Sequence, residues 1–135
     1  MARGRPAGCR LSADQSGAAP VAIINALSVD VEEWFQVGAF ERTIDRADWD
    51  SLASRVAVNT GTVLDLFAAA GVKATFFTLG WVAARHPALI RRIHAAGHEL
   101  ASHGWDHARV FTLDPQRFAA DLADSRRAIE DAAGV

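Results

Sequence analysis

Two histidines, His103 and His107, stand four residues apart in the stretch ELASHGWDH, and far upstream Asp30 and Glu32 close the apolar run VAIINALSVDVEE. A neutral imidazole is a good donor to a borderline cation such as Zn2+. Two imidazoles and a carboxylate leave coordination positions open for water and substrate, as a catalytic rather than a structural metal site requires. A second carboxylate beside such a site can divide the labour, one binding the ion while the other accepts a proton from water. Residues i and i+2 of a strand share a face. Asp30 and Glu32 are therefore expected to look into one site, with Val31 packed behind them and Glu33 turned away as a solvated rim residue. A helical turn between the histidines, eased by Gly104, would set both rings on one face about 6 Å apart along the axis. Histidines at this spacing also occur as solvated or structural residues, and the pair alone leaves both readings open.

The elements that must position these residues are legible from periodicity and punctuation. Val21 to Val31 reads as a strand buried on both faces, Ala74 to Leu79 as a second strand, and His98 to Ser102 as a shorter third. Between them, a helix is expected from about Ser51 to Ala70, where Leu52, Val56, Val63, Leu64 and Phe67 share a face and Gly71 supplies the stop. A short helix follows Pro87, with Leu89, Ile90 and Ile93 as its apolar stripe and Gly97 as its end. A third starts at Asp114-Pro115 and carries Phe118, Leu122, Ser125 and Ile129 at helical spacing as far as Gly134. Alternation of strand and helix predicts an α/β fold with parallel strands joined by crossovers. In such folds, chemistry gathers where the strands end, and Asp30, Glu32 and His103 all fall there.

Composition narrows the partners. With 135 residues, the chain has room for a single domain. Half of it is apolar, 22% is charged and the net charge is −2, so there is no basic stripe and no nucleic-acid partner is expected. Cys9 is the only cysteine, which excludes an intrachain disulfide. Residues 1–20 carry Arg3, Arg5 and Arg10 without the apolar segment of a secretory signal and read as a disordered tail, leaving 21–135 as the domain. No stretch approaches the roughly 20 apolar residues that cross a bilayer, and a cytoplasmic location is expected. Oligomeric state has no signature here. His86, His94 and His98 read as capping, solvated and core residues. Trp34 and Trp81 read as packing, Trp105 as a candidate wall of a substrate groove, Asp106 as a partner for an imidazole or a solvated loop residue, and Ser102 as a loop hydrogen-bonder.

Four stretches taken together resemble the N-terminal part of the polysaccharide deacetylases with a NodB homology domain, carbohydrate esterase family 4. They are NALSVDVEEWFQVGAFE (25–41), KATFFTLGWVA (73–83), GHELASHGWDH (97–107) and the helix from Pro115 to Ala133. The first is similar to the branch found with exopolysaccharide and exosortase loci. The resemblance implies the N-terminal portion of a distorted (β/α) barrel, with about three β/α units. It makes Asp30 the catalytic base and His103 and His107 metal ligands. Most members carry adjacent aspartates in the first motif; here Val31 follows Asp30, and Glu32 is the expected third ligand. The implied cofactor is one divalent metal ion, Zn2+ foremost. The implied substrate is an N-acetylated polysaccharide or oligosaccharide, hydrolysed to acetate and a free amino sugar. An arginine-containing motif and a late histidine follow the third helix in the family, so a partial chain with reduced activity is expected. Two alternatives are a small cyclic-amide amidohydrolase of the same fold and a non-catalytic carbohydrate- or metal-binding domain. Retention of Asp30 with both histidines favours an enzyme, since binding alone needs no base.

Overall fold

The structure is a computed structural model and describes residues 25–135; the expected tail, Cys9 and the start of the first apolar run lie outside the described residues. Three short strands, β1 (Ser28–Val31), β2 (Thr75–Thr78) and β3 (Glu99–Ser102), form a parallel sheet in the order β1-β2-β3. The predicted α/β class and all three strands are therefore present. Register pairs Asp30 with Phe77 and Phe77 with Ala101, so these three share one face. The opposite face carries Val31, Phe76 and Thr78, all with no exposed surface. There they join Leu79, Val82, Ile90 and Ile93 in the main core.

Four helices cover that core: α1 (Val56–Ala70), α2 (Gly80–Arg85), α3 (Pro87–Ala95) and α4 (Pro115–Ala133). The predicted stops hold: Gly71 and Gly134 end α1 and α4 in the left-handed conformation, where a side chain would be strained. Pro87 and Pro115 occupy first-turn positions, and the Asp114 carboxylate accepts from Arg117 N–H at 2.8 Å as the expected cap. Leu89, Ile90 and Ile93 form the buried stripe of α3, and Ser125 and Ile129 lie on the buried face of α4.

Three expectations change. Among the described residues β1 is an edge strand, and Ser28 and Asp30 are exposed on one face, rather than the strand being buried on both faces. α1 begins at Val56, because residues Arg46–Ser51 form a separate 3-10 turn capped by Asp45, which accepts from Ala47 N–H at 3.0 Å. α2 is additional; six residues are too few to display a period. His98 is buried against Phe76, and its Nδ1 accepts from Ala74 N–H at 3.2 Å. Burial, reinforced by the nearby Lys73 charge, holds its imidazole below the ordinary histidine value, which suits a neutral acceptor in the core. Among the described residues, no helix is long and apolar enough to cross a membrane.

Candidate metal centre and active site

The sheet ladder brings the strand ends level. Leu79 N–H donates to the Val31 carbonyl at 3.3 Å, and His103 N–H donates to the Thr78 carbonyl at 2.9 Å. Glu32 thus leaves β1 at the same height at which His103 leaves β3. Their side chains converge: Glu32 Oε2 lies 3.2 Å from His107 Nε2 and 4.0 Å from His103 Nε2. One donor atom from each of Glu32, His103 and His107 falls within 4.8 Å of the others. Donors held about 2.0–2.1 Å from a tetrahedral ion stand about 3.3 Å apart, close to the shorter separation. Glu32 Oε2 and His103 Nε2 are buried and have no hydrogen-bond partner. Burying such atoms unpaired is costly, whereas a shared cation satisfies all three groups together. The residues present therefore fit a divalent ion.

The histidines meet by a route other than the expected helical turn. The segment after β3 is irregular, with Gly104 at φ +80° and His107 at φ 64°, the only positive φ at a non-glycine residue among the described residues. A left-handed conformation costs an L-residue about 1–2 kcal/mol, and such strain concentrates at sites that use it. Here it accompanies the approach of the His107 ring to His103, with ring centroids 5.0 Å apart.

Neighbouring elements hold this loop. Gly80 and Trp81, opening α2, donate their N–H groups to the Gly104 and Trp105 carbonyls, both at 2.9 Å. Asp121 of α4 accepts from Trp105 N–H through both carboxylate oxygens at 3.1 Å. Ser102 Oγ accepts from Gly104 N–H at 3.2 Å and bonds Ser125 Oγ at 2.7 Å. Sequence reasoning missed Asp121. Its signal is positional, since it falls on the α4 face shared with Phe118 and Ser125. Trp105 packs its ring on Gly80 and lines neither pocket beside the histidines, against the expectation of a groove wall. A Cβ at Gly80 would come within 2.6 Å of that ring and 2.8 Å of the Ser125 backbone. Gly80→Ala is therefore expected to destabilise the protein by about 1–3 kcal/mol, read by urea denaturation. Wild-type stability in that variant would mean that the contact is looser than drawn.

Two acidic residues depart from expectation. Glu33 is fully buried rather than solvated, its carboxylate accepting from Ser54 Oγ and from the N–H groups of Arg55 at 2.9 Å and Val56 at 3.3 Å. It caps α1 from a distant part of the chain. Asp106 is paired with Arg46 instead of backing an imidazole. Asp30 is exposed on the sheet face shared with Phe77 and Ala101, two residues before Glu32. Its side chain makes no hydrogen bond or ion pair among the described residues.

Parallel strands deliver a carboxylate and two imidazoles to one rim of an α/β protein, with donor atoms close enough together to hold a divalent ion. The chain belongs to the polysaccharide deacetylase family, whose sequence model matches residues 43–135, about two thirds of its length. His103 and His107 lie within that match; Asp30 and Glu32 precede it. A chitooligosaccharide deacetylase from Rhizobium leguminosarum bv. trifolii is 37% identical over 73 residues, covering 54% of this chain and 34% of the relative. A Mycobacterium smegmatis structure assigned to the polysaccharide deacetylases matches 87% of this chain and 44% of its own, at 31% identity and TM-score 0.67. A family 4 acetyl xylan esterase from Clostridium thermocellum, solved with a cobalt ion, matches 82% of this chain and 43% of its own at 28% identity and TM-score 0.58. The chain thus spans less than half the length of these relatives. Its β/α units correspond to part of their (β/α) barrel.

Proposed function

We propose that the protein is a metal-dependent hydrolase that removes N-acetyl groups from amino sugars of a polysaccharide, with Glu32, His103 and His107 as ligands and Asp30 as general base. The observation that carries the reading is the convergence of three donor atoms, two of them buried without partners, in a member of the deacetylase family. Two imidazoles and a carboxylate suit Zn2+, and the ion named with the Clostridium thermocellum relative, cobalt, is another transition metal. When bound, the ion supplies Lewis acidity toward an acetamide carbonyl and a water of lowered pKa.

The chain's own groups supply the base and the scaffold that holds the ligands. Asp30, exposed at the same strand end, accepts the proton of the attacking water. His103 and His107 stay fixed because their loop is anchored to α2 and α4. The similarity of NALSVDVEEWFQVGAFE to the exopolysaccharide-locus branch points to an exopolysaccharide or its precursor as the substrate. The test is acetate release from N-acetylglucosamine oligomers by the intact, Zn2+-loaded protein. Asp30→Asn is expected to lower kcat by about 100-fold or more while binding the metal normally. Full activity in that variant would remove Asp30 as the base.

A further inference from the structure

The two candidate histidine ligands are held in different ways. His103 continues the sheet ladder, its N–H donating to the Thr78 carbonyl at 2.9 Å. His107 has no such support. Among the described residues, no backbone–backbone hydrogen bond reaches Asp106, His107 or Ala108. His107 nevertheless keeps a φ of 64°, a left-handed conformation that its residue type disfavours. A contact other than the sheet must hold its ring near Glu32.

The segment between β1 and α1 supplies that contact. Arg46 pairs with Asp106, the residue before His107, and Arg109, two residues after it, pairs with Glu41 at 2.9 Å. The left-handed residue is thus bracketed by two ion pairs to one segment. Arg46 is the better anchored of the two arginines. Its guanidinium lies 5.5 Å from the centre of the Trp49 ring, within cation–π range. Trp49 is itself buried and meets Phe35 at 5.8 Å and Trp81 at 5.7 Å. Arg109 stacks on Phe111, which is exposed. His107 also shares a cavity wall with Asp45, Arg46 and Trp49, so the segment lies beside the residue it holds.

We propose that Arg46 is a positioning residue for the metal centre, which acts through Asp106 to hold His107 in its left-handed conformation with the ring beside Glu32 and His103. The role rests on Glu32, His103 and His107 being the ligands, not on the reaction that the ion serves. Zn2+ and Co2+ titrated into the intact protein test it, with the visible absorption of bound Co2+ as a record of ligand geometry. Arg46→Gln and Asp106→Ala are each expected to weaken Zn2+ binding about 10-fold, as loss of a group that orients a ligand does, and to change the Co2+ spectrum. The double variant should bind no more weakly than either single one, because both substitutions break the same tie. Arg46→Lys, which keeps the positive charge without the planar fork, should recover part of the affinity. The metal-free variants are expected to unfold near the wild-type temperature, since a partly exposed ion pair contributes little to stability. Wild-type affinity and an unchanged Co2+ spectrum in Arg46→Gln overturn the positioning role, and so does additive weakening in the double variant. A wild-type protein that binds neither ion overturns the metal centre and the role together. Weakened binding in the variants of a protein that releases no acetate keeps the role and removes the hydrolase reading.

Discussion

Replacing Glu33 with alanine is expected to lower the stability of the protein by about 2–4 kcal/mol, read as a shift in the urea midpoint at unchanged slope. The carboxylate has no exposed surface, and removing a carboxylate from water costs several kcal/mol unless hydrogen bonds replace the lost hydration. Ser54 Oγ, Arg55 N–H and Val56 N–H supply that replacement. The last two are at the start of α1, whose first turn has no capping side chain of its own. The negative charge also meets the positive end of the α1 dipole. Alanine would remove the acceptor of all three donors, leaving Val56 N–H unpaired in a buried position and Ser54 Oγ and Arg55 N–H in part-buried ones. It would also free the segment that joins Glu32 to the aromatic residues behind it. Glu33→Gln keeps an acceptor without the charge and should fall between the two. If Glu33→Ala unfolds at the wild-type urea concentration, the distant cap contributes nothing and α1 is held by packing alone.

The second large effect is expected at the proposed ligands. His103→Ala should weaken metal binding and lower deacetylase activity, each by more than about 100-fold. Even residues that only orient a ligand typically account for about 10- to 100-fold, and a ligand itself accounts for more. With one imidazole gone, the proposed set would be left with two donors, Glu32 and His107, one fewer than the three protein ligands a catalytic zinc site uses. A second readout is independent of turnover. An ion that binds only the folded state raises the unfolding temperature, so added Zn2+ should stabilise the wild-type protein and leave the variant unmoved. A Zn2+-dependent rise of equal size in His103→Ala would place the ion elsewhere.

What the sequence revealed and what it hid divide along the distance over which each signal acts. Gly71, Gly134, Pro87 and the Asp114-Pro115 pair act on their own turn, so the helix ends they mark could be located from the chain alone. His103 and Glu32 were legible for the same reason, each directly following a strand run. Glu33 was misread because strand alternation was extended past Val31, where β1 ends, and its partners lie about twenty residues away. Asp121 was invisible as a support for the histidine loop, because its partner, Trp105 N–H, is sixteen residues earlier. The left-handed His107 could not be anticipated from a residue type that prefers negative φ. The exposure of Asp30 follows from the sheet face it shares with Phe77 and Ala101, which lies opposite the core and is incompletely covered even on the central strand; periodicity within one strand cannot reveal that.

The centre of the proposal is a division of labour between two carboxylates two residues apart, and metal content in paired variants tests it directly. Asp30→Asn and Glu32→Gln would be loaded with Zn2+, dialysed and assayed for bound metal beside the wild-type protein. Asp30→Asn is expected to retain stoichiometric Zn2+ with its activity lost, and Glu32→Gln to lose both. Retention of the ion in Glu32→Gln and its loss in Asp30→Asn would contradict the assignment and make Asp30 the ligand.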